Sequence, residues 1–172
     1  MRKTLDPPRD KETKGEKNYI TPGGYHKLTT ELDFLQTKKR PEVVSALSDA
    51  AAEGDRSENA EYIYRKRQLR QIDSRLRFLA KRLDVAVVVD PREQKRRDKV
   101  FFGATVTVED EEGEKQTFSI VGSDEIDSVG GAISWQSPVG RGLIGKEIGD
   151  TVQVRLDKGQ RELTITGIVY PS

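Results

Sequence analysis

Two apolar runs at heptad spacing, joined by a break of about four residues, constrain this chain most. In the first run Tyr25, Leu28, Leu32 and Leu35 follow at steps of 3, 4 and 3, and Val43, Leu47 and Ala50 continue a similar stripe. In the second, Tyr62 leads into Leu69, Ile72, Leu76, Leu79 and Leu83, the last five spaced 3, 4, 3 and 4. Each is the narrow seam of a helix packed on one partner helix. A join this short forbids a parallel return, so the two fold back as an antiparallel coiled-coil hairpin. Thr21 suits the N-cap and Pro22 the first helical position. The first helix is predicted to reach about Glu53, with a kink at Pro41, where Lys39, Arg40 and Pro41 interrupt the stripe and proline lacks an N–H. Arms of roughly 30 residues make a rod on the order of 45 Å long, with "GDRSE" at its far end.

Beyond Leu83 the hydrophobic period falls to two. "VAVVVD" reads as a strand and "PREQKRRD" as a charged linker. "KVFFGATVTVED" and "KQTFSIVG" form a predicted hairpin around "EEGE", and "TVQVRL" pairs with "RELTITGIVY" across "DKGQ". "SPVGRGLIG" is a short helix, capped by Ser137 with Pro138 in its first turn. The expected fold class is therefore α+β: a hairpin over residues 19–84, a strand and linker over 85–98, and an antiparallel β-sheet domain with a short helix over 99–172. Residues 1–18 are expected to be a disordered polar arm. They lack the apolar core of a signal peptide, and no run approaches the ~20 apolar residues of a membrane span. Absence of cysteine excludes disulfides, zinc-thiolate sites and thiol catalysis. A cytoplasmic, monomeric protein with no membrane partner is expected.

A net charge of +1 conceals a dipole. Residues 62–83 hold eight basic side chains and one acid, Asp73, while residues 99–172 hold seven basic and twelve acidic ones, giving +7 against −5. An ordinary solvated helix face mixes both signs, whereas this shaft has almost no Glu to offset its cations. Such an uncompensated strip suits a polyanion lying alongside.

In "GDRSENAEY", Asp55 and Glu58 have the spacing of a capping box, and the helix dipole favours acids in a first turn. The same pair is also two hard oxygen donors for Mg²⁺, too few for an octahedral shell. Capping and chemistry both fit the spacing. The one histidine, His26, lies far from this tip, and no hydrolytic triad or phosphate loop is recoverable. If the tip is catalytic, it completes a metal site belonging to a partner.

"GDRSENAEY" at the bend, "KRPEVVSAL" before it, "RQLRQIDSRLRFL" after it, and "VFFGATVTVED", "IVGSDEID" and "SPVGRGLIGKEIGD" beyond resemble, in that order, the Gre transcript cleavage factors. The likeness runs from about Tyr19 to Tyr170, and the basic second helix with "VFFGA" favours the GreB branch. It implies an FKBP-like C-terminal domain without isomerase activity. It also implies a coiled coil that enters the secondary channel of RNA polymerase, where the nascent RNA 3′ end lies in backtracked complexes. The factor then stimulates the polymerase's own endonucleolytic cleavage, as a catalytic auxiliary and not an enzyme. By this resemblance Asp55 and Glu58 help hold the polymerase's second Mg²⁺, and Arg65, Lys66, Arg67 and Arg70 guide the RNA. Ser57 and Asn59 either shape the turn or contact polymerase, Glu61 is a surface or polymerase contact, and Trp135 packs in the head or touches the channel rim. Two alternatives remain: a channel-binding regulator that does not promote cleavage, and an RNA-binding coiled-coil adaptor that ignores the tip.

Overall fold

Thr21 begins the hairpin as its spacing predicts: its hydroxyl accepts from the Gly24 N–H at 3.1 Å, and Pro22 opens helix α1, Pro22–Phe34. The computed structural model describes residues 17–54, 58–156 and 159–172. The predicted arm before residue 17, the predicted tip residues 55–57 and the predicted turn residues 157–158 lie outside them. A π-helical turn, Leu35–Lys39, joins α1 to α2, Arg40–Ala52, and α3 returns as Ala60–Asp84. The kink expected at Pro41 is thus a π turn immediately before it, closed by the Arg40 N–H bonding the Leu35 carbonyl. Its cause is in the seam. Leu28 to Leu35 and Val43 to Ala50 are heptad steps of seven, but Leu35 to Val43 is eight. The wider turn absorbs the extra residue and keeps Leu28, Val43 and Ala50 buried on one side.

Opposite them Ile72 and Leu79 are buried, and cross-links from Arg40 to Asp73 and from Arg75 to Glu31 run antiparallel. Tyr25, expected in the seam, is exposed. At the base Ile20, Leu28 and Leu79 form a small core. There strand β1, Asn18–Ile20, which the periodicity did not reveal, pairs parallel with β2, Ala86–Val88. The two feet of the hairpin are tied together.

The head holds a five-stranded sheet in the order β5, β4, β3, β7, β6. β3 is Thr105–Glu109, β4 Lys115–Val121, β5 Ala132–Ser134, β6 Thr151–Leu156 and β7 Gly159–Val169. Alternation in β3 turns Val106 and Val108 inward, to meet Phe118, Ile120, Leu163 and Ile165. Helix α4, Pro138–Leu143, is capped by Ser137 and adds Val139 and Leu143. The wholly antiparallel sheet expected is corrected in one place: β5 pairs parallel with β4, making the sheet mixed. Three residues are too few for alternation to reveal β5, and residues 122–131 carry the chain back before it re-enters the sheet. No helix among the described residues is long and apolar enough to cross a membrane.

Candidate functional site

Helix α2 ends at Glu53, followed by Gly54 at φ +120°, a conformation that only glycine adopts without strain. Glu58 comes next among the described residues, exposed and in a turn; Asp55 and Ser57 lie outside them. Asn59, in extended conformation, is the N-cap of α3. Its side-chain oxygen accepts from the Tyr62 N–H at 3.1 Å, while its amide nitrogen donates to the Ala50 carbonyl at 2.7 Å. One side chain therefore caps one arm and ties it to the last turn of the other. A carboxylate offers no donor for the second bond, which is why the cap falls on Asn59 and not on the acids before it. The capping-box reading does not hold, since α3 starts at Ala60 and Glu58 precedes its cap. Glu58 has no hydrogen-bond or ion-pair partner among the described residues. These residues also contain no cluster of three or more His, Cys, Asp or Glu able to hold a metal ion.

Along the shaft the cations divide into two groups. Arg40 bonds Asp73 at 2.8 Å, and Arg75 forks onto Glu31 at 2.7 and 2.9 Å. The Arg75 guanidinium holds the Glu31 carboxyl below its usual range. Arg65 bonds Glu61 at 2.7 Å and Gln68 at 3.1 Å. Of the four cations expected to guide RNA, Arg65 is the exception, half-buried along the seam. Its position was readable, because Arg65, Ile72 and Leu79 are spaced by seven. Glu61 serves as its brace. Lys66, Arg67 and Arg70 are exposed, as is Arg77. The Lys66 ammonium lies 5.8 Å from the Tyr62 ring centre, and Arg67, Arg70 and Arg77 have no ion pair among the described residues. With Asp73 already engaged by Arg40, this face is uncompensated positive charge.

At the other end sits a polar junction that no sequence pattern indicated. Asp124, its side chain 9% exposed, receives the Arg82 Nε at 2.9 Å and the Asn18 amide at 3.1 Å. Arg82 also donates to the Asn18 side-chain oxygen at 2.8 Å. The Glu125 carboxylate accepts from the Thr21 hydroxyl, the Thr21 N–H at 3.1 Å and the Gly122 N–H at 2.9 Å. Two consecutive acids of the head therefore hold both feet of the rod. Beside them the Tyr19 ring lies 5.2 Å from Trp135 and 5.9 Å from Phe102, centre to centre. Trp135, also packed against the head core, is a junction residue. Its neighbourhood leaves no room at Gly122, where a Cβ would fall 2.1 Å from the Tyr19 carbonyl oxygen.

Two family models match in succession: "Transcription elongation factor, N-terminal" over residues 18–88 and "Transcription elongation factor, GreA/GreB, C-term" over residues 93–170. The chain is 50% identical over 154 residues to transcription elongation factor GreB of Neisseria meningitidis serogroup B, covering 90% of this chain and 94% of that one. It is 54% identical over 153 residues to GreB of Pasteurella multocida, covering 89% and 96%. A solved structure, GreA factor homolog 1 of Thermus thermophilus, is 24% identical over 90% of this chain and 99% of that one, with a TM-score of 0.42. Matched from the first strand to the last by both halves of the family, and sharing half its residues with GreB, this chain belongs to the GreA/GreB transcription elongation factors.

Proposed function

We propose that the hairpin enters the secondary channel of bacterial RNA polymerase in the cytoplasm and stimulates the polymerase's intrinsic endonucleolytic cleavage of backtracked nascent RNA, rescuing arrested complexes. The chain acts as a monomer and a catalytic auxiliary. The observation that carries this reading is the exposed Glu58 at the rod's end, unused as a cap because Asn59 performs that task. An acid with no partner among the described residues, near the end of a long rod, is suited to someone else's site. Asp55 and Glu58 would hold, jointly with polymerase carboxylates, its second Mg²⁺. When bound, that ion lowers the pKa of water and offsets charge on phosphoryl oxygens. The chain's own carboxylates position the donors and accept hydrogen bonds from the water they orient. Lys66, Arg67 and Arg70 attract the phosphates of the extruded 3′ end by charge that weakens with salt. In the sequence Ser57 stands between Asp55 and Glu58.

Asp55→Asn and Glu58→Gln test this directly. Helix content and melting should stay within about 0.5 kcal/mol of the parent chain, since neither residue caps α3. Cleavage of RNA in a stalled, backtracked polymerase complex should be lost. Normal cleavage by both variants would overturn the catalytic assignment and favour a channel-binding regulator. Tight RNA binding without polymerase, insensitive to these substitutions, would favour the adaptor.

A further inference from the structure

The outward face of α3 carries more than charge. Tyr64, Arg67, Gln71, Ser74 and Phe78 follow at steps of 3, 4, 3 and 4, a second heptad stripe, and all five are exposed. It is not the seam, which runs through Leu69, Ile72, Leu76 and Leu79. Its two aromatic members stand 56% and 45% exposed. They are fourteen residues apart, so they share a face at a separation of about 21 Å along the axis. Each has a guanidinium over its ring: Arg65 lies 5.4 Å from the centre of Tyr64, and Arg75 lies 5.1 Å from that of Phe78. Both guanidiniums are themselves anchored, Arg65 to Glu61 and Arg75 to Glu31, so the rings have fixed neighbours. Beside this stripe runs a row of exposed cations, Lys66, Arg70 and Arg77.

We infer that Tyr64 and Phe78 are base-stacking platforms for single-stranded RNA, with the adjoining cations tracking its phosphates. The inference rests on the functional reading above and names what holds the RNA besides charge. Phosphate attraction alone lets a strand slide, whereas a ring engages the π-face that every base carries and is indifferent to which base arrives. A rod serving any transcript needs that indifference. Uncompensated positive charge on the same face selects a polyanion over a protein wall. Two rings about 21 Å apart hold the strand at two points with cations between them.

The test uses the full chain with Tyr64→Leu and Phe78→Leu, singly and together, and with Tyr64→Phe as the conservative variant. The first readout is anisotropy of a dye-labelled oligoadenylate, against an abasic oligomer of equal length and charge, at low ionic strength. The double variant should bind the oligoadenylate roughly thirtyfold more weakly, and Tyr64→Phe should bind as the parent does. On the abasic oligomer the parent should already be weakened by that factor, and the double variant should lose nothing further. Equal binding of the two oligomers by the parent, or a loss for the double variant on both, would overturn the inference. The second readout is the factor concentration giving half-maximal cleavage in backtracked complexes whose extruded segment is normal or abasic. Raised requirements for the double variant only on the normal RNA support stacking; raised requirements on both place polymerase against this face and overturn it. Absence of any stimulation by the parent chain sinks the functional reading, while the anisotropy result still decides the stacking.

Discussion

At the scale of single residues, the decisive one is Asn59. Its two bonds, to the Tyr62 N–H and the Ala50 carbonyl, make it the fastener of the rod's far end. Asn59→Ala should cost about 1–2 kcal/mol, and Asn59→Asp, which keeps the cap but loses the donor, about 1 kcal/mol or less. Thermal denaturation followed by helix ellipticity checks both, and Asn59→Asp costing as much as Asn59→Ala would show that the tie to Ala50 matters more than the cap. Part of this was legible beforehand. The motif around Asp55 and Glu58 stood out, as did Ser57 and Asn59 as turn residues. Which of five consecutive polar residues, 55 to 59, would cap was not, because Asp, Ser and Asn are near-equal caps by chemistry and only the facing Ala50 carbonyl separates them. Arg65 is the opposite case, a residue grouped by its charge when its heptad position already assigned it to the seam.

At the scale of elements, the π turn before Pro41 follows from an eight-residue step where the seam wants seven. Deleting Thr37 together with Pro41→Ala should restore a continuous α-helix and leave the hairpin's melting temperature unchanged or higher. Deleting Thr30 instead, within a regular stretch, should rotate Leu28 out of register and lower it; two equal losses would show that the turn does not compensate the spacing. The Glu31 and Arg75 pair adds a pH dependence. Glu31 is held below its ordinary value of 4.5, so its contribution is present above that value and fades as the pH falls through the depressed one. Glu31→Gln should therefore flatten the loss of hairpin stability below about pH 4.5 and lower stability slightly at neutral pH, as acid titration of helix ellipticity would show. Helices were read well because their seams are local, but the cap of α3 was not, since it depends on a carbonyl of the facing arm. Strand β5 went unread, because it is three residues long and its pairing partner lies outside any short window.

At the scale of the whole molecule, a positive rod meets a negative head through Asp124 and Glu125. Asp124→Ala strands the Arg82 guanidinium at the junction and should cost about 1–2 kcal/mol, a range lowered for its partial exposure. Calorimetry should then show the hairpin and head melting as two transitions where the parent shows one. A single transition at the parent temperature would mean that the junction couples nothing. The rod, the head and their opposite charges were all visible in the sequence; the junction was not, because it joins residues 42 to 106 positions apart. Its consequence is one of leverage. With both feet clamped beside each other, a rod of about 45 Å turns each degree of tilt at its base into roughly 0.8 Å of travel at its apex. Under the proposed function, where a displacement of about 1 Å can cost a reaction a hundredfold in rate, the aim of Glu58 would be set by the stiffness of two carboxylates at the opposite end.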